Sequence, residues 1–324
     1  MLDEISDVVD FDSYAWLLTD PQSHVGCAPL ADVPCLTELP RLIRLKYLTP
    51  INRWTVLGDA RVALLAEMTG GDLSRSLLWR ELLSGYGVVD VASVVFEDRF
   101  GCWGFLDLWR RGERSTFERF EAEYLAGIAA PIAAALRRVQ ANTFLLGSSG
   151  QDGRLGPVVL LLSADLDVQA QTAETEEQLR LLVPSPEPAA PIPASAYNVG
   201  AQLLATEAGV DSSAPFARMH LAGGEWVTVR AARIGNDRPL ERRNIAITIE
   251  ACSPAERLEV FCASFGLSIR EREILGLLAK GCDTRELARA AFVSEHTVQD
   301  HLKSIFLKTD SHSRRTLLSR ALGR

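Results

Sequence analysis

The chain has 324 residues, 47% of them apolar, and 34 Lys and Arg against 42 Asp and Glu give it a net charge of −8. At roughly 100–200 residues per domain that is room for two or three cores. No window of about 18 uninterrupted apolar residues occurs and the N-terminus opens with acids, so the expectation is a cytoplasmic protein without a membrane span or secretory leader. Its 6 cysteines, Cys27, Cys35, Cys102, Cys252, Cys262 and Cys282, form no CxxC pair, which argues against a zinc site or a disulfide framework. His24, Cys27 and Cys35 group loosely but lack a fourth ligand, so neither a metal nor a cofactor is expected.

Residues 1–40 carry one apolar stretch, YAWLLTD, which suits a helix or a strand. Pro21, Pro29, Pro34 and Pro40 then interrupt the chain, and the segment reads as an N-terminal arm laid on a domain. From Arg41 a compact unit begins. Residues 57–68 have helical apolar spacing ended by Gly70-Gly71, and 74–83 resume as a helix stopped near Gly85. The period then changes to two. Residues 91–96 and 102–109 are β-rich runs separated by EDRFG, the pattern of a hairpin. Ser115 with Glu118 opens a long helix over 116–139, in which Pro131 demands a kink or a break. The text CWGFLDLWRRGERSTFERFEAEYLAGIAAPIAAALRR resembles the last third of a GAF sensor domain, here assigned to 41–140. That resemblance implies a central antiparallel sheet with helices on one face and, often, a small-molecule pocket on the other. Trp54, Trp79, Trp103, Phe105 and Trp109 either line such a pocket or fill the core.

The Gly-rich SSGQDGRLG marks a linker over 141–156. A second unit follows at 157–252: strands at 157–162 and from 168, joined by ADLD, then a helix over 174–182. VPSPEPAAPIPA is a Pro-rich extended loop, and 194–208 is helical up to Gly209. Three strands follow at 217–221, 226–234 and 244–250. Two strands, helices and three strands is the order of a PAS domain, and PVVLLLSADLDVQAQT resembles its opening hairpin. Ser253, Pro254 and Glu256 start a connecting helix, 253–266, with Leu258, Phe261 and Phe265 on one face; it either pairs two copies or packs on its own chain.

Residues 267–324 carry the clearest local signals. Ser268 with Glu271 and Asp283 with Glu286 are capping boxes, Gly281 ends the first helix, and Ser294 and Ser313 cap a third and a fourth. On the third helix Val298, Leu302, Ile305 and Thr309 form one stripe at steps of four, three and four. His296, Gln299, Asp300, Lys303 and Leu307 point the other way, a polar ridge of the width that fits a DNA major groove. Gln can address adenine, Lys guanine, and Asp the cytosine amino group. The pieces SIRERE, RELA, SEHTVQDHLKSIFLKT and SRRTLLSRA resemble the helix-turn-helix of LuxR-type (NarL/FixJ-like) transcription regulators. The resemblance implies that Gln299, Asp300 and Lys303 face bases, and that Ser294, His296, Thr297, Lys308 and Arg314 contact the DNA backbone. Many relatives carry Lys where this chain has Gln299, so this helix is less basic than theirs.

Charge is divided accordingly. From Arg270 onward 11 Lys and Arg face 7 Asp and Glu, a surplus of four, which leaves −12 on the residues before it. A basic tail on an acidic body is the footprint of a DNA reader. A phosphate-receiving domain is disfavoured, because Lys46 is the only Lys before residue 280, and no GxxxxGK[ST] or GxSxG motif occurs. The expected whole is a non-enzymatic α+β multidomain regulator: antiparallel-sheet sensors, a four-helix reader, and a homodimer on double-stranded DNA that also touches RNA polymerase. The competing class is an interaction adaptor that docks its helical tail on another regulator or on polymerase.

Overall fold

The computed structural model describes residues 1–145, 158–182, 194–221, 224–235, 239 and 242–323, and among them ten strands pair into two five-stranded antiparallel sheets. Short helices make up the C-terminal part, so the architecture is α+β and multidomain.

The first unit opens with a single helical turn, α1 (Leu2–Ser6), which puts Ile5 into the core. It continues with β1 (Ser13–Thr19), β2 (Gly26–Asp32), α2 (Leu39–Leu48), β3 (Val62–Leu64), α3 (Leu65–Met68), α4 (Leu77–Glu81), β4 (Val88–Asp98), β5 (Gly101–Arg111) and α5 (Arg119–Asn142). Strand order is β2-β1-β5-β4-β3. The segment expected as an arm therefore belongs to the fold: Tyr14 on β1 sits between Asp32 on β2 and Leu108 on β5. Its prolines fit without breaking it. Pro29 lies on the edge strand, where a missing N–H costs no ladder bond, and Pro40 lies at the N-terminus of α2.

Two further expectations shift. Val62–Leu64 pairs with β4, Val62 opposite Val94, so the helix read over 57–68 survives only as the turn α3. The long helix begins later, with Glu118 as N-cap and Glu121 as its box partner, in place of Ser115 and Glu118. It runs on through Pro131 because Leu125, Ala129, Ile132 and Ala133 are buried on the sheet to either side of it. The β4-β5 hairpin forms where the period-two runs predict it.

The second unit contains β6 (Val158–Leu162), β7 (Val168–Gln171), α6 (Thr175–Leu182), α7 (Ala194–Glu207), β8 (Phe216–His220), β9 (Trp226–Ile234) and β10 (Asn244–Ala251). Its order, β7-β6-β10-β9-β8, repeats that of the first sheet strand for strand. Most of the expected linker and all but the last residue of the Pro-rich loop lie outside the described residues.

The two units share one core. Residues 194–202 of α7 are buried on every side, as a helix must be when it has a sheet on one flank and a neighbouring domain on the other. It packs on β9 and β10 of its own sheet and on α2 and β2 of the first unit. Gly200 lets α7 lie close against its own unit, where a Cβ would come 3.1 Å from Leu166 Cδ2.

Two buried ion pairs cross the seam. Arg53 of the first unit, fully buried, donates to Asp211 Oδ2 at 2.7 and 2.9 Å and to Gln202 Oε1 at 2.9 Å. Arg218 on β8 grips Asp20, in the turn after β1, through Nε–Oδ2 at 2.7 Å and Nη2–Oδ1 at 2.9 Å, with side chains 1% and 0% exposed. Burial alone would raise the Asp20 carboxyl, but the hydrogen bonds and charge of Arg218 outweigh it and hold the group below the ordinary 3.8. A carboxylate lowered on folding stabilises the fold above its unfolded value, and that contribution is lost as pH falls through the lower, folded value.

Asp20→Asn should therefore cost about 3–5 kcal/mol at neutral pH by leaving Arg218 short of its counter-charge, and should flatten the loss of stability below pH ~4. Asp20→Asn combined with Arg218→Met should recover part of that cost. Urea unfolding across pH 2–7 checks both expectations.

Candidate nucleic-acid interface

The connecting helix α8 (Pro254–Ser264) leads into α9 (Ile269–Ala279), α10 (Thr284–Ala290), α11 (Glu295–Thr309) and α12 (Arg314–Leu322). Each start is built from the side chains that local sequence chemistry requires. Ser253/Glu256, Ser268/Glu271 and Asp283/Glu286 form reciprocal capping boxes, and Ser294 and Ser313 accept from the N–H groups of Thr297 and Thr316, each at 3.1 Å. Gly281 (φ 92°) turns the chain between α9 and α10. Between α10 and α11 the left-handed residue is Phe292 (φ 55°), 94% exposed.

Ile274, Leu275, Leu278, Leu287, Val298, Leu302, Ile305, Leu317 and Ala321 make the bundle's core. The stripe Val298, Leu302, Ile305 and Thr309 is buried against α9 and α10, and Thr309 Oγ1 donates to the Ile305 carbonyl at 2.8 Å. The opposite ridge is open. His296, Gln299, Asp300, Lys303 and Leu307 are all exposed with the whole chain in place, so neither sheet unit covers them. Asp300 lies 3.6 Å from both His296 Nε2 and Lys303 Nζ, which keeps three of these polar groups in one cluster. At the start of α11, Ser294 and Thr297 share a hydroxyl–hydroxyl hydrogen bond of 2.8 Å.

Residues 266–321 match the family model described as "Bacterial regulatory proteins, luxR family". The C-terminal unit is a luxR-family helix-turn-helix domain. A relative, the "Monoamine regulon transcriptional regulator" of Klebsiella aerogenes, is 41% identical over 54 residues, which are 17% of this chain and 24% of that protein. The match thus spans about a quarter of the relative's length and concerns the luxR-family domain alone. A solved structure of the Vibrio cholerae VqmA dimer, described as a LuxR-type receptor, matches over 53% of this chain and 84% of that one, at 18% identity and a TM-score of 0.21. That likeness is too slight to carry any feature across.

Two residues expected at the DNA backbone also have partners inside the luxR-family domain. The Lys308 ammonium bonds the Glu271 carboxylate at 2.6 and 2.9 Å, because the last turns of α11 run beside the start of α9. Arg314 Nη2 donates to Thr284 Oγ1 at 2.7 Å and joins the starts of α12 and α10. Sequence reasoning passed over Arg285, exposed on α10 and 3.7 Å from Glu295 at the start of α11, and Arg315, exposed on α12. The surplus of positive charge after Arg270 is the signal that could have led to them. The loose group His24, Cys27 and Cys35 forms no metal-binding cluster among the described residues, and no described helix is long and apolar enough to cross a membrane.

Glu271 ties the interface to the bundle's stability. Burial pushes its carboxyl up, but hydrogen bonds from Lys308, Ser304 and Ser268 reverse that and bring it to about 2. Its contribution is complete above the ordinary 4.5 and disappears as pH falls toward 2. Lys308→Met should raise the Glu271 pKa and lower the opening free energy of α9 and α11 by about 1–3 kcal/mol at neutral pH, less than for a fully buried pair. Native-state hydrogen exchange of amides in those helices, on the full chain, reads this directly.

Proposed function

We propose that the chain is a one-component transcriptional regulator whose sheet units gate a dimeric helix-turn-helix reader. The observation that carries this reading is the open polar ridge of α11, set opposite a fully buried apolar stripe on a luxR-family domain. In this reading Gln299, Asp300 and Lys303 meet base edges in the major groove, and Ser294, His296 and Thr297 meet the flanking phosphates, with Arg285 and Arg315 adding charge at the rim. One such helix makes few specific contacts, which supports two copies on a two-fold site with half-sites one helical turn apart.

The two sheet units are proposed as sensors, GAF-like for the first and PAS-like for the second. Their shared strand order and their continuous path to the reader support that role. Arg218 donates from β8 to Glu259 Oε2 at 2.9 Å and to the Glu256 carbonyl at 3.2 Å, both on α8. Phe144, just after α5, stacks on Trp226 of β9 (4.8 Å, 20°) and meets Phe261 of α8 edge-on (5.3 Å, 90°). Both sheet units therefore bear on the helix that leads into α9. A ligand that favours one arrangement of these contacts shifts the population of the DNA-competent form by its difference in affinity for the two.

The test is selection of bound fragments from sheared genomic DNA by the purified chain, followed by gel shift. Wild type should select a two-fold site, with affinity falling steeply as salt rises. Gln299→Ala and Lys303→Ala should each weaken that binding by about 1–3 kcal/mol and relax preference at one base pair, whereas Arg315→Ala should weaken all sequences alike. Wild type with no sequence preference would return the helical tail to the role of a protein-docking adaptor.

A further inference from the structure

A cavity of about 260 Å³ lies in the seam between the two sheet units. Its walls are apolar: Ala15 and Leu17 of β1, Phe105 and Trp109 of β5, Leu39, Leu42 and Ile43 of α2, and Ala31 of β2 near the exposed edge. Trp54 stands behind Phe105, stacked at 4.2 Å, while Trp103 belongs to the core on the opposite face of the sheet.

Four polar side chains define its chemistry, and one of them, the Tyr47 hydroxyl, accepts from the Gly26 N–H at 3.0 Å. Lys46 and Asp107 are paired at 2.6 Å, and the second Asp107 oxygen accepts from Ser93 Oγ at 2.6 Å, so these two charges cancel and are already satisfied. No other lining residue is charged. Asn198 is different. It enters from α7 of the second unit, is 1% exposed, and neither its Oδ1 nor its Nδ2 has a partner among the described residues. A buried amide with both ends unmet costs roughly 1–3 kcal/mol for each lost partner, so such a group is retained where something completes it.

We propose that this cavity binds a compact, neutral, largely apolar molecule bearing a carboxamide or lactam, whose adjacent N–H and C=O pair reciprocally with the Asn198 side chain. The charge class follows from the walls, because an ionised ligand would be left without a counter-charge in an apolar site. The size class follows from the volume, just under the roughly 300–1,000 Å³ of drug-sized sites. Asn198 and Ala194 belong to the second unit and the other lining residues to the first, so an occupant closes the seam from both sides. Binding here does not depend on the DNA reading; only its consequence for the reader rests on that proposal.

The experiment uses four near-isosteric probes on the full chain, benzamide, benzoate, benzylammonium and toluene, followed by ligand-observed NMR and calorimetry without DNA. Benzamide should bind at least tenfold more tightly than either ion. Asn198→Leu should weaken benzamide at least tenfold while leaving toluene within threefold, and Ala31→Trp, at the mouth and away from the core, should exclude both. Circular dichroism shows that each variant is folded, and if Asn198→Leu is not, Ala31→Trp with the four-probe ranking decides. Equal affinity for amide and ions, benzamide binding unaffected by Ala31→Trp, or binding of none of the four because the cavity holds only water, would overturn the proposal. A bound benzamide that leaves DNA affinity unchanged would count against sensor gating and leave the site standing.

Discussion

Arg218 is the side chain on which the arrangement of the whole molecule turns. One guanidinium, almost completely buried, reaches Asp20 and Gln22 in the first unit and Glu259 on the connecting helix, from a strand of the second unit. A charge in that position must be paired or expelled, and its partners come from two other parts of the chain. The relative placement of the parts is thereby constrained by electrostatics as well as by apolar contact. Sliding one unit against another would strand Arg218, and Arg53 with it, in a medium that cannot solvate them.

The same seam explains the composition of α7. A helix with solvent on one side keeps an exposed polar stripe, whereas over 194–202 this one exposes nothing and buries Ser195, Asn198 and Gln202, because both of its flanks are protein. Its polar residues are accordingly functional or structural rather than solvating. Gln202 accepts from Arg53 and donates to the Ser213 carbonyl, so its needs are met within the fold. Asn198, one turn earlier on the same helix, has no such partners. The contrast between two amides in one buried helix is what singles out the second.

Legibility followed the range of the interactions involved. The four starts of the reader helices were visible in the sequence because a capping box is a contact over three residues, as Ser268 with Glu271 and Asp283 with Glu286 show. The β4-β5 hairpin was visible for the same reason. What escaped was non-local. Ser13 pairs with Trp109, so nothing near YAWLLTD announces that it lies within a sheet. Val62–Leu64 is a short apolar run that suits helix or strand equally, and its neighbour β4 decided the matter. At the candidate interface the exposed set on α11 could be read from helical periodicity alone. The fate of Lys308 could not, since it depends on where Glu271, 37 residues earlier, comes to rest.

That last pair bears on how a reader helix is held. The outward face of α11 carries few internal contacts, as a surface offered to another molecule must, so its orientation has to be set from behind. Apolar burial of Val298, Leu302 and Ile305 supplies most of the holding energy but is non-directional, and by itself it tolerates rotation of the helix about its axis. Lys308 and Ser304, both bonded to the carboxylate of Glu271, add two directional contacts from the flank of α11 to the first turn of α9. Glu271 also closes the capping box with Ser268, two residues after Gly266, and α8 ends at Ser264. Under the gating proposed above, a displacement of α8 driven from Arg218 or from Phe144 would reach, within one turn, the carboxylate that holds α11 from behind. Under the proposed gating no large movement is required, since a change of register at the Glu271 carboxylate would re-aim Gln299 and Lys303.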